Sequence, residues 1–89
     1  MVEFYFMVQL TDERLEELKQ TIPLRIGERI RFFRTQNGLT QTQLGTLVGK
    51  DRQYIYKIEK GVVTPNVVTV STIALALEIE LSSLFEIEI

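Results

Sequence analysis

Neither cysteine nor histidine occurs anywhere in this chain of 89 residues. Without cysteine there is no disulfide framework and no thiolate metal site. Without histidine as well, the commonest nucleophile–base pairs and nearly all zinc sites cannot be built. Carboxylate, lysine or tyrosine chemistry is what remains to an enzyme, and no nucleophile and base can be named from it, so the composition argues against catalysis. No cofactor and no small-molecule ligand is implied. Long apolar runs are missing too. The stretch Val2 to Leu10 contains Glu3 and Gln9, is too short to span a bilayer, and lacks the basic flank and small-residue cleavage site of a signal peptide. A cytoplasmic protein with no membrane partner is expected.

What is present is ordinary for one small globular domain: 45% hydrophobic and 25% charged residues. A domain of this size buries a modest share of its surface, so its independent stability is limited. The net charge of −2 argues at first against a polyanionic partner. The distribution of that charge points the other way. Residues 1–20 sum to −3 and residues 62–89 to −4, whereas residues 21–61 hold eight Lys and Arg against three Asp and Glu, a local +5. Screening confines attraction to about 10 Å, so the local patch counts for more than the total.

Val2 to Leu10 alternates apolar and other residues with period two and reads as a strand. Thr11 offers an N-cap, followed by acidic Asp12 and Glu13, and Leu15, Leu18 and Ile22 form one stripe of a helix over 12–22 that Pro23 ends or interrupts. A second helix is expected from about Leu24 to Gln36, with Ile26, Ile30 and Phe33 inward and its four arginines largely outward, stopped by Asn37-Gly38. Thr40 and Gln43 fit a capping box for a third helix whose Leu44, Leu47 and Val48 face the core, ended by Gly49. Asp51 caps a fourth, Arg52 to Lys60, with Ile55 and Ile58 buried and Gly61 as its stop. After the loop Val62 to Pro65, Asn66 caps a helix with Val67, Val70, Ile73, Ala74 and Leu77 on its inner face. Ser82 and Ser83 begin a last short turn, and Phe85 to Ile89 alternates again.

Two short helices joined by a tight glycine turn are the geometry by which one helix enters the major groove of DNA. The residues Ile26-Gly27-Glu28-Arg29-Ile30-Arg31, Gly38-Leu39-Thr40-Gln41-x-x-Leu44, Ile55-x-x-Ile58-Glu59-Lys60-Gly61 and Pro65 resemble the Cro and phage-repressor helix-turn-helix family, of the xenobiotic-response-element type. The resemblance covers about residues 24–85. Asp51-Arg52-Gln53-Tyr54-Ile55 is also similar to the restriction-modification controllers within it. The resemblance implies an all-α fold, a five-helix repressor-like helix-turn-helix domain over 24–85, to which the alternating ends add a strand/helix arm over 1–23 and a short β strand over 86–89. Thr40 to Val48 becomes the positioning helix and Arg52 to Lys60 the recognition helix. Base contacts are then expected from Arg52, Gln53, Tyr56 and Lys57, whose Arg and Gln can give paired hydrogen bonds to guanine and adenine edges. Phosphate contacts are expected from Thr40, Gln41, Lys50 and Lys60. The family pattern pairs Glu59 with Arg34 as a structural ion pair that braces the recognition helix.

Three departures from the pattern stand out. Gly45 replaces the family's usual alanine, either being small enough for close helix approach; the loop Val62-Val63-Thr64 has no basic residue; and Tyr54 and Tyr56 bring aromatic bulk near the DNA face. The arginines of the second helix are read evenly as solvated surface or as phosphate contacts. The two apolar arms exceed what a five-helix domain can bury, so Phe4, Phe6, Leu81, Leu84, Phe85 and Ile87 are expected at a homodimer interface, with the arms pairing as a small sheet. A start at Met7 would leave dimerisation to the last helix. The expected function is a sequence-specific regulator, a dimeric repressor on double-stranded DNA; the alternative is a non-catalytic protein-interaction adaptor on the same fold.

Overall fold

The first helix begins where the sequence supplies an acceptor for otherwise orphaned amides. In the computed structural model, which describes residues 9–88, the Thr11 side chain accepts a hydrogen bond from the Arg14 amide at 3.0 Å. Helix α1 then runs through Asp12–Gln36 without a break at Pro23. The expectation of two helices divided there is corrected. Pro23 has no N–H to donate to the Lys19 carbonyl, a defect that costs about 3 kcal/mol in a helix interior. Burial on both sides outweighs it: Ile22 packs on the core, Pro23 itself is buried, and Ile26, Gly27 and Ile30 follow on the same face.

The remaining helices are α2 (Gln41–Val48), α3 (Arg52–Glu59), α4 (Val67–Ala76) and α5 (Leu81–Leu84). Each of the first three has the cap its sequence announces. Thr40 and Gln43 close a reciprocal capping box at 2.8 and 3.0 Å, Asp51 accepts from the Tyr54 amide at 2.8 Å, and Asn66 from the Thr69 amide at 2.8 Å. Asn37 ties two elements together at the end of α1, its side-chain amide donating to the carbonyls of Phe33 and Leu77 at 3.1 Å each. The core is one cluster with members from every helix: Ile26 and Ile30, Leu44, Ile55 and Ile58, Val70, Ile73, Ala74 and Leu77, and Leu84.

Two expected core residues point outward. Leu47 is 59% exposed because the inward arc of α2 is centred between Leu44 and Gly45 and not on the Leu44, Leu47 and Val48 stripe read from the apolar spacing. A Cβ at Gly45 would lie 2.6 Å from the Lys50 carbonyl oxygen. That contact rotates α2, and it also corrects the expectation that alanine would fit equally well. Val67 is 71% exposed; although in phase with Val70 and Ala74, it sits in the first turn of α4, past the edge of the core.

Among the described residues there is no strand. The N-terminal strand expected over 2–10, with Phe4 and Phe6, lies outside the described residues except for Gln9 and Leu10, which are not in a strand. The C-terminal strand is corrected. After α5 the Arg29 guanidinium grips the Ser83 carbonyl with two hydrogen bonds of 3.0 and 2.8 Å and reaches Glu86 at 3.4 Å. The Ile87 amide then donates to the Phe85 carbonyl at 2.9 Å, a tight turn that folds Ile87 onto the core. Leu84, expected at a dimer interface, is wholly buried inside the protomer, so it has no surface left for a partner.

The α4–α5 turn places Glu78 at φ 57°, a left-handed position reached by no other non-glycine residue described. L-residues pay about 1–2 kcal/mol there. Gly45→Ala and Glu78→Gly should therefore move stability in opposite directions. Alanine at 45 is the better helix former, yet overpacking against backbone should cost about 1–3 kcal/mol. Glycine at 78 should raise the melting temperature by about 4–8 °C per kcal/mol regained. Thermal unfolding of the two variants checks both signs.

Candidate nucleic-acid interface

Helix α3 owes its position to backbone contacts rather than to its own length, since eight residues are too few for a stable isolated helix. On one side Gly45 of α2 abuts the chain at Lys50 and Asp51; on the other, a Cβ at Gly27 of α1 would fall 2.2 Å from the Ile58 carbonyl oxygen. The left-handed Gly49 ends α2 and allows α3 to start three residues later. With Ile55 and Ile58 buried, helical spacing turns Arg52, Gln53, Tyr56 and Lys57 outward, and Lys60 follows at the C-cap; all five are exposed.

Beneath this face lies a polar network. Arg34 donates from Nε to Glu59 Oε2, from Nη2 to Glu59 Oε1 at 2.9 Å and from Nη1 to the Leu39 carbonyl at 2.8 Å. Gln41 Nε2 adds a hydrogen bond to Glu59 Oε1 at 3.1 Å. Arg34 and Glu59 are 8% and 6% exposed, so the pair is shielded from water and both charges have partners. It joins α1, the α1–α2 turn and the start of α2 to the end of α3.

The other charged groups divide cleanly. Arg14, Lys19, Arg25 and Arg29 have carboxylate partners in Glu17, Glu16, Glu28 and Glu86. Among the described residues Arg31, Lys50, Arg52, Lys57 and Lys60 have none within 4.0 Å. Lys50 and Lys60 instead lie against tyrosine rings, Nζ being 4.9 Å from the centre of Tyr54 and 5.8 Å from that of Tyr56. Thus the cations without carboxylates belong to α3, its flanks and the neighbouring turn of α1. This ridge can attract an extended polyanion, and it offers paired donors to planar acceptors.

A helix-turn-helix family model (HTH_3) matches residues 30–84. The chain belongs to that family. It is 39% identical over 64 residues to the HTH-type transcriptional regulator SlrR of Bacillus subtilis (strain 168), covering 71% of this chain and 42% of SlrR. It is 31% identical over 80 residues to the uncharacterized HTH-type transcriptional regulator y4wC of Sinorhizobium fredii (strain NBRC 101917 / NGR234), covering 90% and 56% respectively. The chain therefore spans about half the length of these relatives. The restriction-modification controller protein C.AhdI from Aeromonas hydrophila superposes with a TM-score of 0.69 at 38% identity, over 71% of this chain and 91% of that one.

In this helix-turn-helix chain the expected contact residues fall into three settings. Arg52, Gln53, Tyr56 and Lys57 project together from α3. Thr40 and Gln41 stand at the start of α2, with Gln41 half-buried and already bonded to Glu59. Lys50 and Lys60 flank α3 against the rings of Tyr54 and Tyr56, and Tyr54, which is not among the expected contacts, packs against the core. Of the expected interface residues, Leu81 and Ile87 are half-buried against the core and Phe85 is exposed. Sequence reasoning did not single out Arg31. The signal was available: Arg25 has Glu28 three residues on, whereas Arg31 is followed at those spacings by Arg34 and Thr35.

The buried pair should behave as a unit. Removing Glu59 or Arg34 alone should cost about 3–5 kcal/mol, because each leaves the other charge buried without its counterpart. The double variant should lose less than the sum by well over about 0.5 kcal/mol. Urea unfolding of the four-member cycle measures this, and additive losses would refute the coupling.

Proposed function

We propose that this protein is a sequence-specific DNA-binding transcriptional regulator, a dimeric repressor that reads a palindromic operator with α3 in the major groove. The observation that supports this best is the separation of its cations. Among the described residues, those away from α3 are matched with carboxylates, and those around α3, apart from the buried Arg34, have no carboxylate partner and are open to an external anion. Its relatives' names, transcriptional regulator and restriction-modification controller protein, point the same way.

In this reading Arg52, Gln53 and Lys57 contact base edges, with Tyr56 against thymine methyls or sugar. Thr40, Gln41, Lys50 and Lys60 hold phosphates. Gln41 spends one amide N–H on Glu59 and keeps a second for a phosphate oxygen. Thr40 accepts from the Gln43 amide and keeps its hydroxyl proton to donate. Neither residue needs to leave its place in the fold. A single domain of this kind reads too few base pairs for useful specificity, and a two-fold dimer on half-sites about 34 Å apart is the common remedy. Phe85, with the exposed part of Leu81, is the candidate interface.

Selection from a random duplex pool supplies the operator. On it Arg52→Ala and Gln53→Ala should each lose about 1–3 kcal/mol while binding to unrelated duplex barely changes. Full retention of preference by Arg52→Ala would place the wrong residues against the bases. A chain that binds no duplex even at low salt would favour the adaptor. Sedimentation of the whole chain at tens of micromolar should give a dimer that Phe85→Glu weakens; a monomer for the unaltered chain would remove the two-fold part of the proposal.

A further inference from the structure

Between α1 and the outer edge of α3 lies a cleft of about 410 Å³. Arg31 forms its α1 wall, Arg52, Tyr56 and Lys60 its α3 wall, and the Arg34–Glu59 pair its floor. The floor does not repel an anion, because both Glu59 oxygens are occupied by Arg34 and one also by Gln41. The rim carries one further carboxylate, Glu28, and Arg25 neutralises it at 3.2 Å. Three cations thus converge from two helices with no carboxylate partner among the described residues. Their convergence is enforced by backbone. Gly27 rests on the carbonyls of Ile58 and Glu59, which fixes α1 against the end of α3, and Arg31, one turn further along α1, lines the same cleft as Arg52 and Lys60.

We propose that this cleft seats one phosphate of the DNA backbone, gripped by Arg31 from α1 and Lys60 from the end of α3. The inference rests on the DNA-binding reading above and deepens it: α1 becomes a direct contact element, and Arg31 a positioning residue for the recognition helix. Arg52, at the mouth of the cleft, remains free to reach a base. A phosphodiester fits the chemistry because its two charged oxygens can accept from a guanidinium and an ammonium at once, and such contacts fix orientation without reading sequence.

The test is the intact chain with Arg31→Gln and Lys60→Gln, each first checked for an unchanged melting curve, on the selected operator and on a random duplex. Arg31→Gln should weaken binding to both duplexes alike, by about tenfold at low salt. It should also lower the slope of log affinity against log salt by about 1. Phosphate ethylation should show one position per half-site that blocks the unaltered protein and no longer matters to the variant. Arg31→Gln with unchanged affinity, slope and ethylation pattern would overturn the clamp while leaving DNA binding intact. Failure of the unaltered chain to bind duplex at all would overturn the underlying reading instead. Saturable binding of inorganic phosphate that Arg31→Gln abolishes, with duplex affinity untouched, would assign the cleft to a free anion and likewise overturn the clamp.

Discussion

The Arg34–Glu59 pair is where the separate pieces of this molecule are made to agree. Burying an ion pair seldom adds net stability, since desolvation consumes most of the Coulomb attraction. What it adds here is registry. The guanidinium makes two hydrogen bonds to one carboxylate and a third to the Leu39 carbonyl, and the carboxylate takes Gln41 as well. Planar, bidentate geometry tolerates little rotation. Helix α3 can therefore neither slide along α1 nor turn about its own axis without exposing a buried charge, and the first residue of α2 is tied to the same carboxylate. A hydrophobic substitute of equal volume would fill the space but would not specify the angle.

Around that pair the packing is set by close backbone approaches. At Gly27 and Gly45 the neighbouring chain comes within the radius of a Cβ, so α3 is clamped between α1 and the end of α2 with little intervening side chain. Two consequences follow. The eight-residue helix inherits rigidity it could not have alone. Its outer face is also turned away from the core, because Ile55 and Ile58, with Tyr54 beside them, carry the apolar contact on the inner side.

Much of this was legible from residues alone because the signals were local. Caps at Thr11, Thr40, Asp51 and Asn66 depend on side chains reaching amides two or three positions away, and each is formed. The outward face of α3 was legible through spacing relative to Ile55 and Ile58. The failures all involve contacts distant in sequence. Pro23 reads locally as a stop, and only burial against the rest of the core explains its place inside α1. Leu47 points out because Gly45 meets the chain beyond α2, which apolar periodicity cannot register. The terminal alternation Phe85 to Ile89 resembles a strand until Arg29, more than fifty residues earlier, takes the Ser83 carbonyl and Glu86. Arg31 is the exception: its lack of an acidic residue three or four positions on was readable locally, and only the cleft it shares with α3 was not.

The charge pattern joins these threads. A net charge of −2 is compatible with a polyanionic partner only if the negative and positive regions are kept apart by more than a screening length or neutralised where they meet. Both devices are present. The acidic residues of α1's first turns sit at its far N-terminal end, where Glu16 and Glu17 are matched with Lys19 and Arg14. Nearer α3, Glu28 and Glu59 are each held by an arginine, Arg25 and Arg34. Arg29 is drawn the other way, to Glu86 and the Ser83 carbonyl at the end of the chain, and so is withdrawn from the ridge. Among the described residues, the five cations without a carboxylate partner thus face a background in which Glu28 and Glu59 are neutralised, with Asp51, the cap of α3, the one acidic residue left beside them. An acidic protein can in this way present a cationic face, because beyond about 10 Å the remaining acidic groups are screened from whatever meets the ridge.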